Sequence, residues 1–454
     1  EHVGTPEQVR FMVYTENDER YYPCSDAMFE AIMNRDRSAF LQEKYSAVSD
    51  RVLQLIDRLI DDKREKAYLE SLLRIKFDHE TRDEIMVPSR LEKRLVNIFL
   101  NRTQIADPYI CEKGMRNLRA ANALASRACR TAVNQLETKD IGGKHRTLIG
   151  ARERLRFIEL KRLLSLAVED SLWTNDNAIH FTEEDYLEFF QKRFTGNGVK
   201  AFFEFLGIQG EVFAESPGLI PKKILWLADE SGEIMVDLVI IRLLARLGHK
   251  VVIAFKDGPV YTKVDFDDAH GDEALGTELS KAYFLTEKKL NKNELVEILR
   301  SEHNMIAVSD GTRENVNLLL VSTTFARIFK EVDAVVSRGP DQHRRFFKSH
   351  FQFTQDIFNL SPGKNGEVDI RLKPRHPAVV KYTYRDLEHK ARAIINQMAA
   401  AKEVRFRAEI GGGGSPLDVQ ITGQDFAALR VLASQVRERL GTYPGVFDIT
   451  DSFE

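Results

Sequence analysis

Four short apolar runs end on groups able to bind a metal or a phosphate. KILWLA (223–228) gives way to Asp229, Glu230, Gly232 and Glu233, and KVVIAF (250–255) to Lys256, Asp257, Gly258 and then Lys263 and Asp265. MIAVS (305–309) leads into Asp310, Gly311 and Thr312, and DAVVS (333–337) into Arg338, Gly339 and Asp341. Carboxylates are hard oxygen ligands that suit Mg2+ or Mn2+. Glycine-rich turns opening onto helices suit phosphate. If the four runs are neighbouring strands, these groups meet in one crevice. The competing reading is that each acidic or hydroxyl group only caps the helix that follows.

The elements that must position these groups follow from periodicity. Between the first two runs lies an apolar helix, 233–247, closed by Gly248. Strand, helix and strand in about 30 residues is a βαβ unit. Its repetition implies an α/β fold with a mainly parallel, Rossmann-like sheet covered on both faces. Residues 1–215 read as a helical amino-terminal domain. Apolar Val52, Leu55, Ile56, Leu59 and Ile60 recur at helical spacing within 47–75, and Thr182 with Asp185 forms a capping box. The α/β domain spans 216–402, with a possible edge strand at 377–383. A small α+β tail, 403–454, holds two alternating strands, VRFRAEI and LDVQITG, around a GGGGS linker, then an amphipathic helix, QDFAALRVLASQVRERL, and a further turn and strand, GTYPGVFDI.

Composition narrows the function. A formal net charge of −3 on 454 residues gives no basic field for nucleic acid. No apolar run reaches the ~20 residues of a membrane span. The three cysteines, Cys24, Cys111 and Cys129, lie far apart and form no CxxC, which points to buried structural thiols in a reducing, cytoplasmic setting. GxGxxG, Walker A, HExxH and GxSxG patterns are absent, and His249 and His270 read as surface or helix-end residues.

The stretch LADESGEIMVDLVIIRLL, continued by GHKVVIAFKDGPVYTKVDFDDA, resembles the damage-control phosphatase family, also called the acidic-residue methyltransferase-like family. The shared positions are Asp229, Gly232, Glu233, Asp237, Gly258 and Pro259; IAVSDGT, EVDAVVSRG and ADPYICEKGMRNLRAANAL (106–124) are similar to further family segments. The resemblance implies a helical domain on a Rossmann-like domain and a divalent metal, Mn2+ or Mg2+ or else Ni2+ or Co2+, that helps hydrolyse phosphate monoesters of small metabolites. A carboxyl-methyltransferase activity using S-adenosylmethionine is a weaker implication. Carried onto this chain, Asp229 is the central metal ligand, with Glu230 and Asp265 beside it. Asp310 orients water or metal, and Arg338 with the backbone at Gly311 and Gly339 holds the phosphoryl oxygens. Glu233 and Asp237 belong to the helix start, where anionic groups complement the dipole.

Three positions depart from the family pattern. Its Asn after the first Asp is Glu230, its second Asp falls near Lys263, and its phosphate-binding Lys-Gly is Arg338-Gly339. An ammonium at Lys263 would pair with Asp229 and Glu230 and make a divalent ion unnecessary, leaving a binding or regulatory protein as the alternative to an enzyme. The last 50 or so residues separately resemble part of the porter region of resistance-nodulation-division efflux transporters.

Overall fold

The four runs lie side by side. The structure, a computed structural model, describes residues 11–13, 21–35, 38–135, 148–208, 220–315, 317–377, 403–407, 418–422 and 425–441. Residues 1–375 and 376–454 form two compact units. The strands of the first are β1 (Met12–Val13), β2 (Phe194–Thr195), β3 (Lys223–Leu227), β4 (Lys250–Phe255), β5 (Tyr283–Leu285), β6 (Met305–Ser309), β7 (Ala334–Arg338), β8 (Gln352–Phe353), β9 (Asp356–Pro362) and β10 (Val368–Lys373). Eight of them build one sheet in the order β2-β10-β9-β7-β3-β4-β6-β5; β1 and β8 pair separately. Within the large sheet only the β9–β10 pairing is antiparallel.

Register decides what the strands deliver. Trp226 stands level with Ile253 on one side and Val336 on the other, and Ile253 is level with Ala307. Continuing each strand to the same level brings Asp229, Lys256, Asp310 and Gly339 out together at the carboxyl edge. After β6 the chain crosses to the other side of β3 to form β7, so this edge is a topological switch point, where open α/β sheets bind ligands.

Strand residues alternate between two buried layers. Ile224, Trp226, Val251, Ile253, Ala334 and Val336 enter one core, and Leu225, Leu227, Val252, Ala254 and Val335 enter the other. Helices α1 (Ala39–Leu59), α2 (Lys63–Glu80) and α3 (Pro88–Thr103) build a third core, to which Cys24, Ala31 and Ile32 add. Helices α4 (Ile110–Ala125), α5 (Leu148–Leu166) and α6 (Glu183–Phe189) follow, the last opening on the Thr182–Asp185 capping box. Next come α7 (Glu233–Arg246), α8 (Phe266–Gly271), α9 (Glu273–Glu278), α10 (Thr323–Glu331) and α11 (Gly339–Phe347). Helix α7 is buried almost all round, the pattern of a helix with packing partners on several sides. Gly248 follows it in the left-handed region, φ 92°, as a helix-ending glycine does.

Several expectations need correction. His249 is not a surface residue: it is fully buried, its Nδ1 accepting from the Lys222 N–H and its Nε2 facing the Leu206 carbonyl. Cys24 and Cys129 are buried, with burial pushing their thiols up to about 11 and about 12, whereas Cys111 is exposed. Strands β2, β5, β9 and β10 were not anticipated. β2 and β5 are two and three residues long, and β9 and β10 carry polar Asn359, Ser361 and Asp369 that break an apolar run. The edge strand expected at 377–383 falls, after residue 377, outside the described residues, as do the linker and the final turn and strand.

In the second unit, β11 (Glu403–Arg407) and β12 (Asp418–Thr422) pair antiparallel, and α12 (Phe426–Gly441) buries Leu432 and Val436, one turn apart. No helix among the described residues is long and apolar enough to cross a membrane.

Leu244 is fully buried on α7. Leu244→Ala should lower unfolding free energy by about 2–5 kcal/mol. In urea the midpoint should fall with the slope unchanged; an unchanged midpoint would contradict this packing.

Candidate active site

At the end of β3 the Asp229 carboxylate is buried and faces a lysine. The Lys263 ammonium hydrogen-bonds Asp229 Oδ1, reaches Glu230 Oε1 at 3.4 Å and lies 3.7 Å from Asp341 Oδ2. Burial raises Asp229 above the usual carboxylate range, against the pull of Lys263, while the three acidic neighbours outweigh burial at Lys263 and hold it charged. Glu230, half-exposed, also accepts from Thr262 Oγ1 at 2.6 Å and lies 3.8 Å from Arg116. Gly339 closes the other side. A Cβ there would stand 2.5 Å from Asp229 Oδ2, and its φ of 70° is left-handed, so glycine satisfies both the turn and the approach.

Asp265 does not join Asp229. It is the N-cap of α8, accepting the Asp268 N–H in a reciprocal capping box, and its other oxygen lies 2.9 Å from Lys113 Nζ. Lys113, buried on α4, also meets Asp107 at 2.7 Å and Asp268 at 2.5 Å. Asp107, Asp265 and Asp268 each offer an oxygen within 4.8 Å of the others, a spacing that could hold a metal ion. An ammonium already touches all three. Burial, reinforced by Asp265, pushes Asp268 up to about 6. Four residues on from Lys113, Asn117 accepts the Gly232 N–H at 2.7 Å and so pins the turn into α7.

Asp310 is level with Asp229 but engaged locally. Its carboxylate takes the Lys256 ammonium at 2.7 Å and the Thr312 N–H at 2.7 Å. The Gly311 N–H is given to Ser309 Oγ at 3.1 Å.

Arg338 lies elsewhere. Strand alternation puts it on the same face as Ala334 and Val336, beneath α7, where it is fully buried. Its guanidinium bonds Asp237 Oδ2 at 3.0 Å, Glu233 Oε1 at 2.8 Å and the carbonyls of Leu360 and Ala167 at 3.0 and 2.6 Å. Glu233 and Asp237 are therefore partners of a buried arginine rather than only dipole-complementing groups. Trp226 Nε1 adds a bond to Asp237 at 2.9 Å. One cation meets two carboxylates here, and Glu233 Oε2 and Asp237 Oδ1 find no donor among the described residues. Burial pushes Glu233 up to about 8, against the pull of Arg338.

A small cleft of about 30 Å3 lies between the helical core and the Gly258-Pro259 loop, lined by Leu55, Glu92, Lys93, Tyr109, Tyr261 and Arg313 among others. Tyr261 donates to Glu92 at 2.5 Å, and Arg51 meets the same oxygen at 2.5 Å. Glu92 and Tyr261 carry no sequence signal that links them. Lys113, Asp107 and Tyr109 had one, the Asp-Pro-Tyr segment.

A sequence model described as the damage-control phosphatase ARMT1-like domain matches residues 40–379. No curated protein matches the chain. Among solved structures, the crystal structure of a DUF89 family protein from Pyrococcus horikoshii aligns at 17% identity with a TM-score of 0.49, covering 72% of this chain and 96% of that one.

Removing the Arg338 charge leaves Asp237 and Glu233 buried without their cation. Arg338→Met should cost about 3–5 kcal/mol of stability, read by denaturation; a variant of native stability would show the arginine unburied. For Glu233, the folded-state value lies above the unfolded one of 4.5, so its contribution is present at low pH and is lost as pH rises through about 8. Glu233→Gln should therefore flatten the fall in stability between those limits, and identical pH–stability curves for the two proteins would exclude this titration.

Proposed function

The chain belongs to the damage-control phosphatase ARMT1-like domain family, and on that premise we propose that it hydrolyses phosphate monoesters of small phosphorylated metabolites at the shared edge of β7, β3, β4 and β6. One observation carries the reading: register brings Asp229 and Gly339 to the same level on adjacent strands, with Lys263, Glu230 and Asp341 around them. Helix α11 begins at Gly339 with no side-chain cap. The N–H groups of Gly339 and Asp341, Pro340 between them having none, and the helix dipole suit the oxygens of a phosphoryl group. Lys93, Arg313, Tyr109 and Tyr261, which line the small cleft on the loop leading to Lys263, are of the types that would meet the organic part of such an ester if the loop opened.

In this arrangement the Asp229 carboxylate would take or relay the proton of the attacking water, and the Lys263 ammonium would offset charge developing on the phosphoryl oxygens. Metal dependence, which the resemblance implies, does not fit the residues as they stand. Lys263 bonds the two carboxylates that would hold the ion, and Asp265 is turned to Lys113. Lys113 likewise touches each member of the Asp107, Asp265 and Asp268 group. No step here runs through a metal.

The Lys263 ion pair also favours a second reading, a protein that binds the same esters without turning them over. A panel of sugar phosphates and p-nitrophenyl phosphate separates the two. The hydrolase reading expects phosphate release, with kcat/KM in Asp229→Asn lower by about 100-fold or more. The binding reading expects saturable heat on titration without release. Neither heat nor release across the panel would remove both.

A further inference from the structure

Lys263 reaches Asp229 on a segment tied down along its length. The Lys263 N–H donates to the Val260 carbonyl at 3.0 Å. Val264 N–H donates to the Asp229 carbonyl, and Ser231 N–H to that of Thr262, both at 2.9 Å. Val264 is fully buried in the core, and Asp265 is held by α8 and by Lys113. On the near side, Tyr261 is bonded to Glu92. The lysine is 6% exposed. With its backbone held on both flanks, the ammonium can leave Asp229 only by side-chain rotation among buried neighbours.

Charge completes the picture. Asp229, Glu230 and Asp341 are three carboxylates. Lys263 lies within 4 Å of all three, Arg344 pairs with Asp341, and Arg116, bonded to Glu112 at 2.7 Å, stands 3.8 Å from Glu230. The cation shared by the two carboxylates that would hold a divalent ion, Asp229 and Glu230, is therefore the Lys263 ammonium itself. An ammonium has three N–H donors. Asp229 and Glu230 take two, and Asp341 at 3.7 Å is too far to take the third as a hydrogen bond.

We propose that Lys263 is a tethered cation standing where a divalent ion would be held, so that the Asp229 site takes phosphate esters without a resident metal, the third ammonium proton, which meets no acceptor among the described residues, going to a phosphoryl oxygen. The location of the ligand rests on the phosphohydrolase reading above; the metal claim does not, and it is measured without substrate.

The test is calorimetric titration of Mn2+ into the full-length, EDTA-treated chain, scored as the binding that Asp229→Asn abolishes. The native chain is expected to show none up to about 1 mM. Lys263→Asp should gain it, at least about tenfold tighter than any in the native chain. Lys263→Met, which keeps the stem and drops the charge, covers the case in which the aspartate variant does not fold: Mn2+ should raise its melting temperature and leave that of the native chain unchanged. Stoichiometric Mn2+ on the native chain that is lost in Asp229→Asn would overturn the proposal. So would Lys263 variants that fold and gain no Mn2+ binding. If no ester is bound or hydrolysed under any condition, the functional reading falls while the metal result stands by itself.

Discussion

The structure around this edge depends on buried cations shared among carboxylates. A charge removed from water costs several kcal/mol unless opposite charges and hydrogen bonds replace the solvent. Four cations meet that demand in the same way. Lys263 serves Asp229, Glu230 and Asp341; Lys113 serves Asp107, Asp265 and Asp268; Lys256 serves Asp310; and Arg338 serves Glu233 and Asp237. Each cation comes from a different element than most of its partners. Pairing them therefore fixes the elements to one another.

The 256–268 segment is where these ties converge. Lys256 sits at its start, Lys263 in its middle and Asp265 and Asp268 at its end, so that one stretch joins the ends of β3 and β6 to helix α4. Asn117 adds a second tie from α4 to the turn before α7. Helix α4 thus acts on the site from outside the sheet: it sets where Asp265 points, and thereby which residue of the loop faces Asp229. Arg338 does comparable work inside the sheet, anchoring α7 to β7 through two acidic side chains and to the Ala167 and Leu360 carbonyls.

Much of this was legible in the sequence, and the exceptions have physical causes. The β3, β4, β6 and β7 runs are apolar on both faces because both faces are covered, and they stand out for that reason. Their ends emerge at one level because the strands are neighbours, although Asp265 and Arg338 turn away from Asp229. Asp265 was expected at the metal, yet DFDD at 265–268 carries an acidic residue at both ends of a capping box, and that local claim on Asp265 prevailed. Arg338 was expected at the phosphate. Period-two alternation with Ala334 and Val336 places it under α7, a consequence readable from the strand itself. Lys263 was recognised as the charge out of place, and the structure puts its ammonium against Asp229. Glu92 and Tyr261 were not legible, because their pairing spans 169 residues and is made by the packing of the helical core on the loop.

The account stands on Lys263 occupying the position of a cation at Asp229. Anomalous diffraction from crystals of the full chain grown in Mn2+ looks at that position directly. The account predicts no anomalous peak at Asp229, with density for the lysine ammonium bridging Asp229 and Glu230. A peak at metal-ligand distance, roughly 2–2.5 Å, from an Asp229 oxygen, with the Lys263 side chain swung away, would contradict it.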